Sequence, residues 1–422
     1  MEIVSWLKKN WLLIVVLVVL LATRLVYLFL LHPPLIWVDG SQYDELGWSL
    51  AQNGTYSMGG EPFAGREPGY PLFFLAPLYL LFGHNIFAIQ VFQLILSLII
   101  GYLVYWMGKH YFSETVGLLA AGFFALYPPF IAYSSEILTE VPFTFLIILA
   151  MFFILRGWEK KKTALFLVAG FLIGMATLTR FIAAFLPLFL LPVFYWFSKD
   201  WKKSLRYSFL MIAIVLAMIS PWLWRNYSMY HTFIFGRLGG GEIYWSGSYI
   251  PWQGEWKGMV PPMDELERGL TPLEVEQKMK KLAWQNITEN PLGVLAMWLK
   301  KPGRMFLKSE FNTVLERDNG FTRLLKNMGG WAPSLLKGLL LAVNALILAL
   351  GATGVWFAYK INKFFTGLAL TVVLYFLLFY LPLNPDSRYK LPLLPYIFVF
   401  ASVAIFVFKA KITGLLKRKI GV

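Results

Sequence analysis

The sequence has no cysteine among its 422 residues and only four histidines. The first absence removes disulfides, thiolate metal sites and cysteine nucleophiles. His32, His84, His110 and His231 are scattered, with no His-x-x-x-His or His-Glu-x-x-His spacing, so no histidine-based metal site is expected. Charge is also scarce. Asp, Glu, Lys and Arg make up 14% of the chain, against about 25% in a soluble domain. With 58% apolar residues, this excludes a soluble globular protein and a disordered one. The apolar stretches run continuously instead of alternating, which argues against an outer-membrane barrel. No Walker A sequence and no Gly-x-Gly-x-x-Gly occur, and no basic-side loop could house a nucleotide-binding domain, so an ATP-driven pump on this chain is excluded.

What remains is long hydrophobic runs separated by basic clusters. A span needs about 20 apolar residues. Ten candidates follow: 11–31, 86–107, 115–133, 137–155, 163–179, 181–197, 206–221, 334–356, 364–382 and 391–408. The stretch 71–83 is apolar but too short to cross, and is expected to lie in the interface or re-enter. The first run lacks a small-residue cleavage site and reads as a retained helix. The net charge of +15 comes from Lys and Arg in the segments 1–10, 108–114, 156–162, 199–206, 357–363 and 409–422. This pattern is that of a multi-spanning membrane protein with both termini cytoplasmic, and not of a nucleic-acid binder. The first loop on the other side, 32–85, carries Arg66 alone against Asp39, Asp44, Glu45, Glu61 and Glu67.

The fold expected is therefore an all-α integral membrane protein with about ten transmembrane helices and two outer-face loops carrying short amphipathic helices. Three parts are expected: a seven-helix module over 1–221 that includes the outer loop 32–85; an outer cap segment over 222–333; and three C-terminal spans with a basic tail over 334–422. In the first loop, Ser41 and Asp44 predict a helix capped at 41 and stopped near Asn53-Gly54, followed by an ordered loop or lid over 54–71. In the second, Thr271-Pro272 predicts a helix running to Asn290. A short one over about 292–308 follows it, ending in Lys300, Lys301, Arg304 and Lys308.

Chemistry is thus expected at the outer face. Asp39 stands at the membrane boundary, either as a helix cap or loop acid, or as a general base or cation ligand. Glu136 and Glu140 are four apart, which predicts one shared helix face, with Glu140 at membrane depth as a dipole-favoured carboxylate or as a second functional acid. Arg24, Arg66, Arg180, Arg225 and Arg388 map to the same side. At that depth each needs an anionic partner: one of these acids, a headgroup, or a phosphate that the guanidinium fork suits. A carboxylate-held Mg²⁺ or Mn²⁺ stays open as a cofactor, with no dedicated metal site assigned.

Five stretches in this order resemble the polytopic GT-C glycosyltransferases of the protein O-mannosyltransferase and lipid A aminoarabinose transferase type. They are Arg24 followed by Val38-Asp39-Gly40-Ser41-Gln42-Tyr43; Gly65-Arg66-Glu67-Pro68-Gly69-Tyr70-Pro71; Tyr133 to Glu140; Ser220-Pro221-Trp222-Leu223-Trp224-Arg225-Asn226; and Arg388-Tyr389-Lys390-Leu391-Pro392. Two departures stand out: Glu67 where the family often has proline, and Asp39-Gly40 where an acid pair is usual. The latter weakens a two-acid metal site at 39–40.

The resemblance implies a GT-C fold and a sugar transferred from a polyprenyl-phosphate donor in the plasma (inner) membrane to a lipid, glycan or protein acceptor. It implies an inverting single displacement at the outer face by a chain acting as a monomer. Asp39 would be the general base, and Glu140 would orient the acceptor or support Asp39. Arg66, Arg180 and Arg388 would hold the donor phosphate, and Tyr43, Tyr70, Glu136 and Arg225 would line the substrate site. The rival expectations are a lipid-linked sugar transporter and a non-catalytic subunit. The first is disfavoured by nearly uncharged span centres and the lack of an internal repeat.

Overall fold

The computed structural model describes residues 9–31, 38–307, 327–384 and 386–412. His32, Trp37, Lys308 and the basic tail beyond 412 lie outside the described residues. The chain is built from helices. Among the described residues, eight helices are long and apolar enough to cross a membrane, and three shorter apolar helices accompany them.

The first span is α1 (Trp11–Leu31). Helix α2 (Val38–Asn53) follows and starts earlier than its Ser41-Asp44 signal suggests, so Asp39 sits in its first turn, where the dipole favours an acid. Gly54, at φ +66°, ends it. The loop beyond is ordered by a two-residue hairpin, β1 (Ser57–Met58) against β2 (Glu61–Pro62). The apolar stretch after it splits into a π-helical turn, Pro71–Leu75, and α3 (Ala76–Phe82). The expected third span is also broken. Helix α4 (Ile86–Tyr111) leads to α5 (Glu114–Leu126) and α6 (Pro128–Tyr133), because Pro128-Pro129 cannot continue α5.

Helix α7 (Glu140–Lys160) begins only at Glu140, and residues 134–139 form turns. Glu136 and Glu140 therefore share no helix face. Helix α8 (Thr163–Thr179) is shorter than a full span. A 3₁₀ turn at Phe181–Ala183 leads into α9 (Leu186–Ser198), and α10 (Trp201–Tyr230) follows.

The segment between α10 and the next long helix holds α11 (Gly240–Ser248), α12 (Met263–Glu267), α13 (Pro272–Glu289) and α14 (Pro291–Leu307). Helix α13 opens with Thr271 as N-cap and Pro272 at its first position, as the sequence predicts, and Glu274 completes a capping box. Helices α15 (Trp331–Ile361), α16 (Lys363–Tyr380) and α17 (Leu394–Ile412) finish the bundle.

Helix α17 is, with α7, among the most enclosed of the candidate spans: its Tyr396, Phe398, Val399, Ala401 and Val403 are fully buried. Its neighbours are α5 and α15. Gly354 of α15 lets α17 approach until a β-carbon there would overlap the Phe400 carbonyl. Such small-residue contacts bring helices together where lipid provides no hydrophobic drive. The alternating direction of the helices puts the ends of α1 and α8, the starts of α7 and α9, and the α16–α17 turn at one end of the bundle, under α11–α14. Lys109, Lys160, Lys199, Lys203, Lys360 and Lys409 lie at the other.

Candidate functional site

At the first of these ends, residues distant in sequence interlock. Asp39, in the first turn of α2, receives Arg66 on Oδ1 at 2.5 Å and Arg388 on Oδ2 at 3.3 Å. Glu140, the first residue of α7, receives Arg180 on Oε1 at 2.5 Å and Arg388 at 3.6 Å. The result is an alternating row: Arg66, Asp39, Arg388, Glu140, Arg180.

Each arginine is aimed by a second contact. Gln42 Oε1 accepts from Arg66 Nε at 2.8 Å, and Thr139 Oγ1 from Arg180 Nε at 2.8 Å. Arg388 sits in a 3₁₀ turn, Ser387–Lys390, that Asp386 caps. One oxygen of Asp386 takes the Arg388 amide at 3.0 Å and the other takes its Nε at 2.9 Å. Gly69 keeps Arg66 and Arg180 close together: a β-carbon at 69 would stand 2.5 Å from the backbone at Leu178 and Thr179.

These charges form one wall of a cavity of about 990 Å³. Tyr43, Arg237, Glu242, Trp256, Tyr380 and Asn384 also face it. Its edge includes Phe185 and Phe379, whose rings stack 6.1 Å apart beside the apolar helices α9 and α16. Burial alone would raise the Asp39 carboxyl, but the Arg66 and Arg388 guanidiniums outweigh it and hold the group below its ordinary value. Arg388 and Arg180 are raised despite their burial, Arg388 by Asp386 and Glu140 and Arg180 by Glu140. Glu242 goes the other way. Burial and the nearby Glu267 push it up to about 7.

Of the residues the sequence singled out, Asp39, Arg66, Glu140, Arg180, Arg388 and Tyr43 meet at the cavity. Tyr70, Glu136 and Arg225 do not line it. Tyr70 is fully buried behind Tyr43, edge-on at 5.4 Å, with its hydroxyl on Gln93. Glu136 is buried in the turn before α7, where its carbonyl takes Gln93 Nε2 at 2.6 Å. Arg225 ties α10 to the hairpin loop through the Tyr56 carbonyl at 2.9 Å and packs on Trp222.

Arg24 departs furthest from its reading, because among the described residues its partners are carbonyls and hydroxyls and not an acid. It is fully buried between α1, α4 and α5, donating to the Phe124 carbonyl at 2.9 Å, the Ala125 carbonyl and Ser97. The break at Pro128 leaves those carbonyls without helical donors, and a cation at a helix C-terminus satisfies both demands.

Sequence reasoning missed Arg237, Glu242, Asp386, Tyr380 and Asn384. It also missed the setting of Lys301. This side chain is buried, and its ammonium donates to the carbonyls of Gly247, Leu381 and Leu383 at 2.6, 2.9 and 2.7 Å. Lys301 thereby pins α14 and the end of α11 to the turn that carries Arg388. Among the described residues no three His, Asp or Glu side chains converge as metal ligands.

A family model described as dolichyl-phosphate-mannose-protein mannosyltransferase matches residues 66–224. The archaeal oligosaccharyltransferase AglB of Archaeoglobus fulgidus, solved with an inhibitory peptide and a dolichol-phosphate, superposes on 99% of the chain at a TM-score of 0.56 and 15% identity. The fold is that of the GT-C glycosyltransferases. The chain is also similar to a Pseudomonas paraeruginosa protein named undecaprenyl phosphate-alpha-4-amino-4-deoxy-L-arabinose arabinosyl transferase, 23% identical over 316 residues and 68% of this chain. An uncharacterised Aquifex aeolicus protein is 28% identical over 145 residues, which is 34% of this chain and 29% of that protein. The chain spans about half the length of these two relatives, 53% of AglB and 54% of the Pseudomonas protein.

Proposed function

We propose that the protein is a membrane glycosyltransferase that takes a sugar from a polyprenyl-phosphate lipid and passes it to an acceptor at the outer face. The observation that carries this reading is the row of three guanidiniums alternating with two carboxylates, set in the wall of a cavity whose edge opens beside apolar helices. A lipid phosphate can enter from that side and compete with the carboxylates for the arginine forks. The name of the Pseudomonas relative and the dolichol-phosphate in the AglB complex support a donor of this class. The excess of Lys at the far end of the bundle supports placing the cavity on the outer side.

In this reading Arg66, Arg180 and Arg388 hold the donor phosphate and stabilise the charge that grows on it as the bond to the sugar breaks. The acceptor attacks the anomeric carbon from the opposite side, in one inverting step, and Asp39 takes its proton. At rest both Asp39 oxygens are held by guanidiniums, which makes it a weak base. A bound phosphate that draws on Arg66 and Arg388 releases it, so donor binding switches on the base. The segment 222–333 acts as a cap over the seven-helix part, and the last three spans supply Arg388. Tyr43 lines the sugar space.

The test uses protein in detergent with labelled undecaprenyl-phosphate sugars. Wild-type protein is expected to release sugar by transfer or slow hydrolysis, and Asp39→Asn to lower that rate by about 10²–10⁴-fold. A full rate in Asp39→Asn removes Asp39 from the base role. Absence of both binding and turnover in the wild type overturns the donor.

A further inference from the structure

Buried polar groups are almost always hydrogen-bonded, so one that is not calls for an explanation. Three such atoms among the described residues belong to side chains that line the cavity: Glu140 Oε2, the Tyr380 hydroxyl and Asn384 Oδ1. They sit on connected supports. Glu140 is buried, and its other oxygen is held by Arg180 and Arg388. The Arg180 guanidinium lies over the Tyr389 ring at 5.5 Å, and Tyr389 stacks on Tyr380 at 4.6 Å and 8°. The Tyr380 hydroxyl lies beside Arg180, whose positive charge acts on it. Asn384 follows four residues later, in the turn that leads to Arg388, with its carbonyl accepting from the Asp386 amide.

We infer that these three groups form the subsite for the transferred sugar, and that this sugar presents neutral hydroxyls there and no ammonium. The inference rests on the donor reading above and adds the class of sugar. A carboxylate oxygen, an amide oxygen and a phenol can accept from ring hydroxyls, and the phenol can also donate. Their place beside Arg180 and Arg388 sets the ring next to the phosphate those arginines would hold. The negative charge of Glu140 is already met by two guanidiniums. Its second oxygen therefore has a lone pair to offer but no net charge to attract a cation, and Arg180 opposes one. The Pseudomonas relative is named for an amino sugar, so the two proteins are expected to differ here.

The experiment compares binding of three lipids in detergent: undecaprenyl phosphate, undecaprenyl-phosphate glucose, and undecaprenyl-phosphate 4-amino-4-deoxyarabinose. Wild-type protein should bind the glucosyl lipid more tightly than the bare phosphate, with no such gain for the amino sugar. Tyr380→Phe keeps the stack on Tyr389, and Asn384→Ala removes one amide. Each should weaken the glucosyl lipid about 5- to 10-fold and leave undecaprenyl phosphate unchanged.

Equal losses for both lipids would mean that the residues act through the arginines, and would overturn the subsite. So would unchanged affinity for both, which assigns the three atoms to water. Tightest binding of the amino sugar would overturn the neutral class. If wild-type protein binds undecaprenyl phosphate and the variants misbehave in any of these ways, only the subsite falls. If it binds none of the lipids, the donor reading falls and takes the subsite with it.

Discussion

Two buried guanidiniums in this molecule have opposite surroundings. Arg24 is enclosed by backbone carbonyls at the broken end of α5. Arg388 is enclosed by carboxylates, each of which another arginine or a cap also holds. A carbonyl fixed in a helix end cannot leave, and nothing else can take its place, so Arg24 is a permanent part of the bundle. A shared carboxylate can give up its claim when another anion arrives. The difference separates a cation that holds the fold from one that can exchange partners. Lys301, on three carbonyls, belongs with Arg24, although it lies next to the turn bearing Arg388.

Removing the exchangeable cation should have the largest effect on turnover. Arg388→Ala is expected to lower sugar release by about 100-fold or more, measured on undecaprenyl-phosphate sugars. Arg388→Lys should recover little, because a point charge cannot serve two carboxylates and a phosphate as a fork does. Arg24→Leu is the reverse case. It should cost about 2–4 kcal/mol of stability through the orphaned carbonyls, read as a lower melting temperature, while the folded fraction keeps its affinity for undecaprenyl phosphate. A large loss of affinity with unchanged melting would erase the distinction.

Lys301→Met sharpens the comparison, because it removes a fixed cation from beside the exchangeable one. The expected loss is about 1–3 kcal/mol in thermal unfolding, with a several-fold weaker hold on undecaprenyl phosphate as the Arg388 turn loosens. The smallest effect belongs to Glu242, which among the described residues has no cation of its own in an ion pair. Folding raises its pKa from 4.5 to about 7, so the folded state binds the proton more tightly than the unfolded one. The stability this contributes is complete below about pH 4.5 and lost as pH rises through 7. Glu242→Gln should flatten that fall in a melting series across this range.

Much of this arrangement was legible in the sequence for one reason. Asp39, Arg66, Glu140, Arg180 and Arg388 are charges at the ends of apolar runs, where burial forces them to find each other. Topology then puts them on one side. The failures have equally specific causes. Tyr70 and Glu136 are close in sequence to true cavity residues but point into the packing between α4 and its neighbours. Arg24 takes backbone carbonyls where an acid, a headgroup or a phosphate is expected, because α5 breaks at a point that Pro128-Pro129 signals.

The segment between α10 and α15 gives no long apolar period, which leaves Arg237 and Glu242 unmarked. Asp386 did carry a signal, since Asp two residues before Arg388 can cap its turn. Lys301 carried one as well. It falls on the same stripe as Val294, Met297 and Met305, the buried face of α14, and a lysine on such a stripe has to find acceptors inside.

The ion pair between Asp39 and Arg388 joins residues 349 positions apart. A ribosome inserting this chain releases Asp39 first, then Arg66, Glu140 and Arg180, and Arg388 only when the α16–α17 turn emerges. Until then both acids lack the guanidinium they share. The row is thus completed only when the α16–α17 turn arrives among helices already inserted, and a nascent chain halted before it would display the charges without the site.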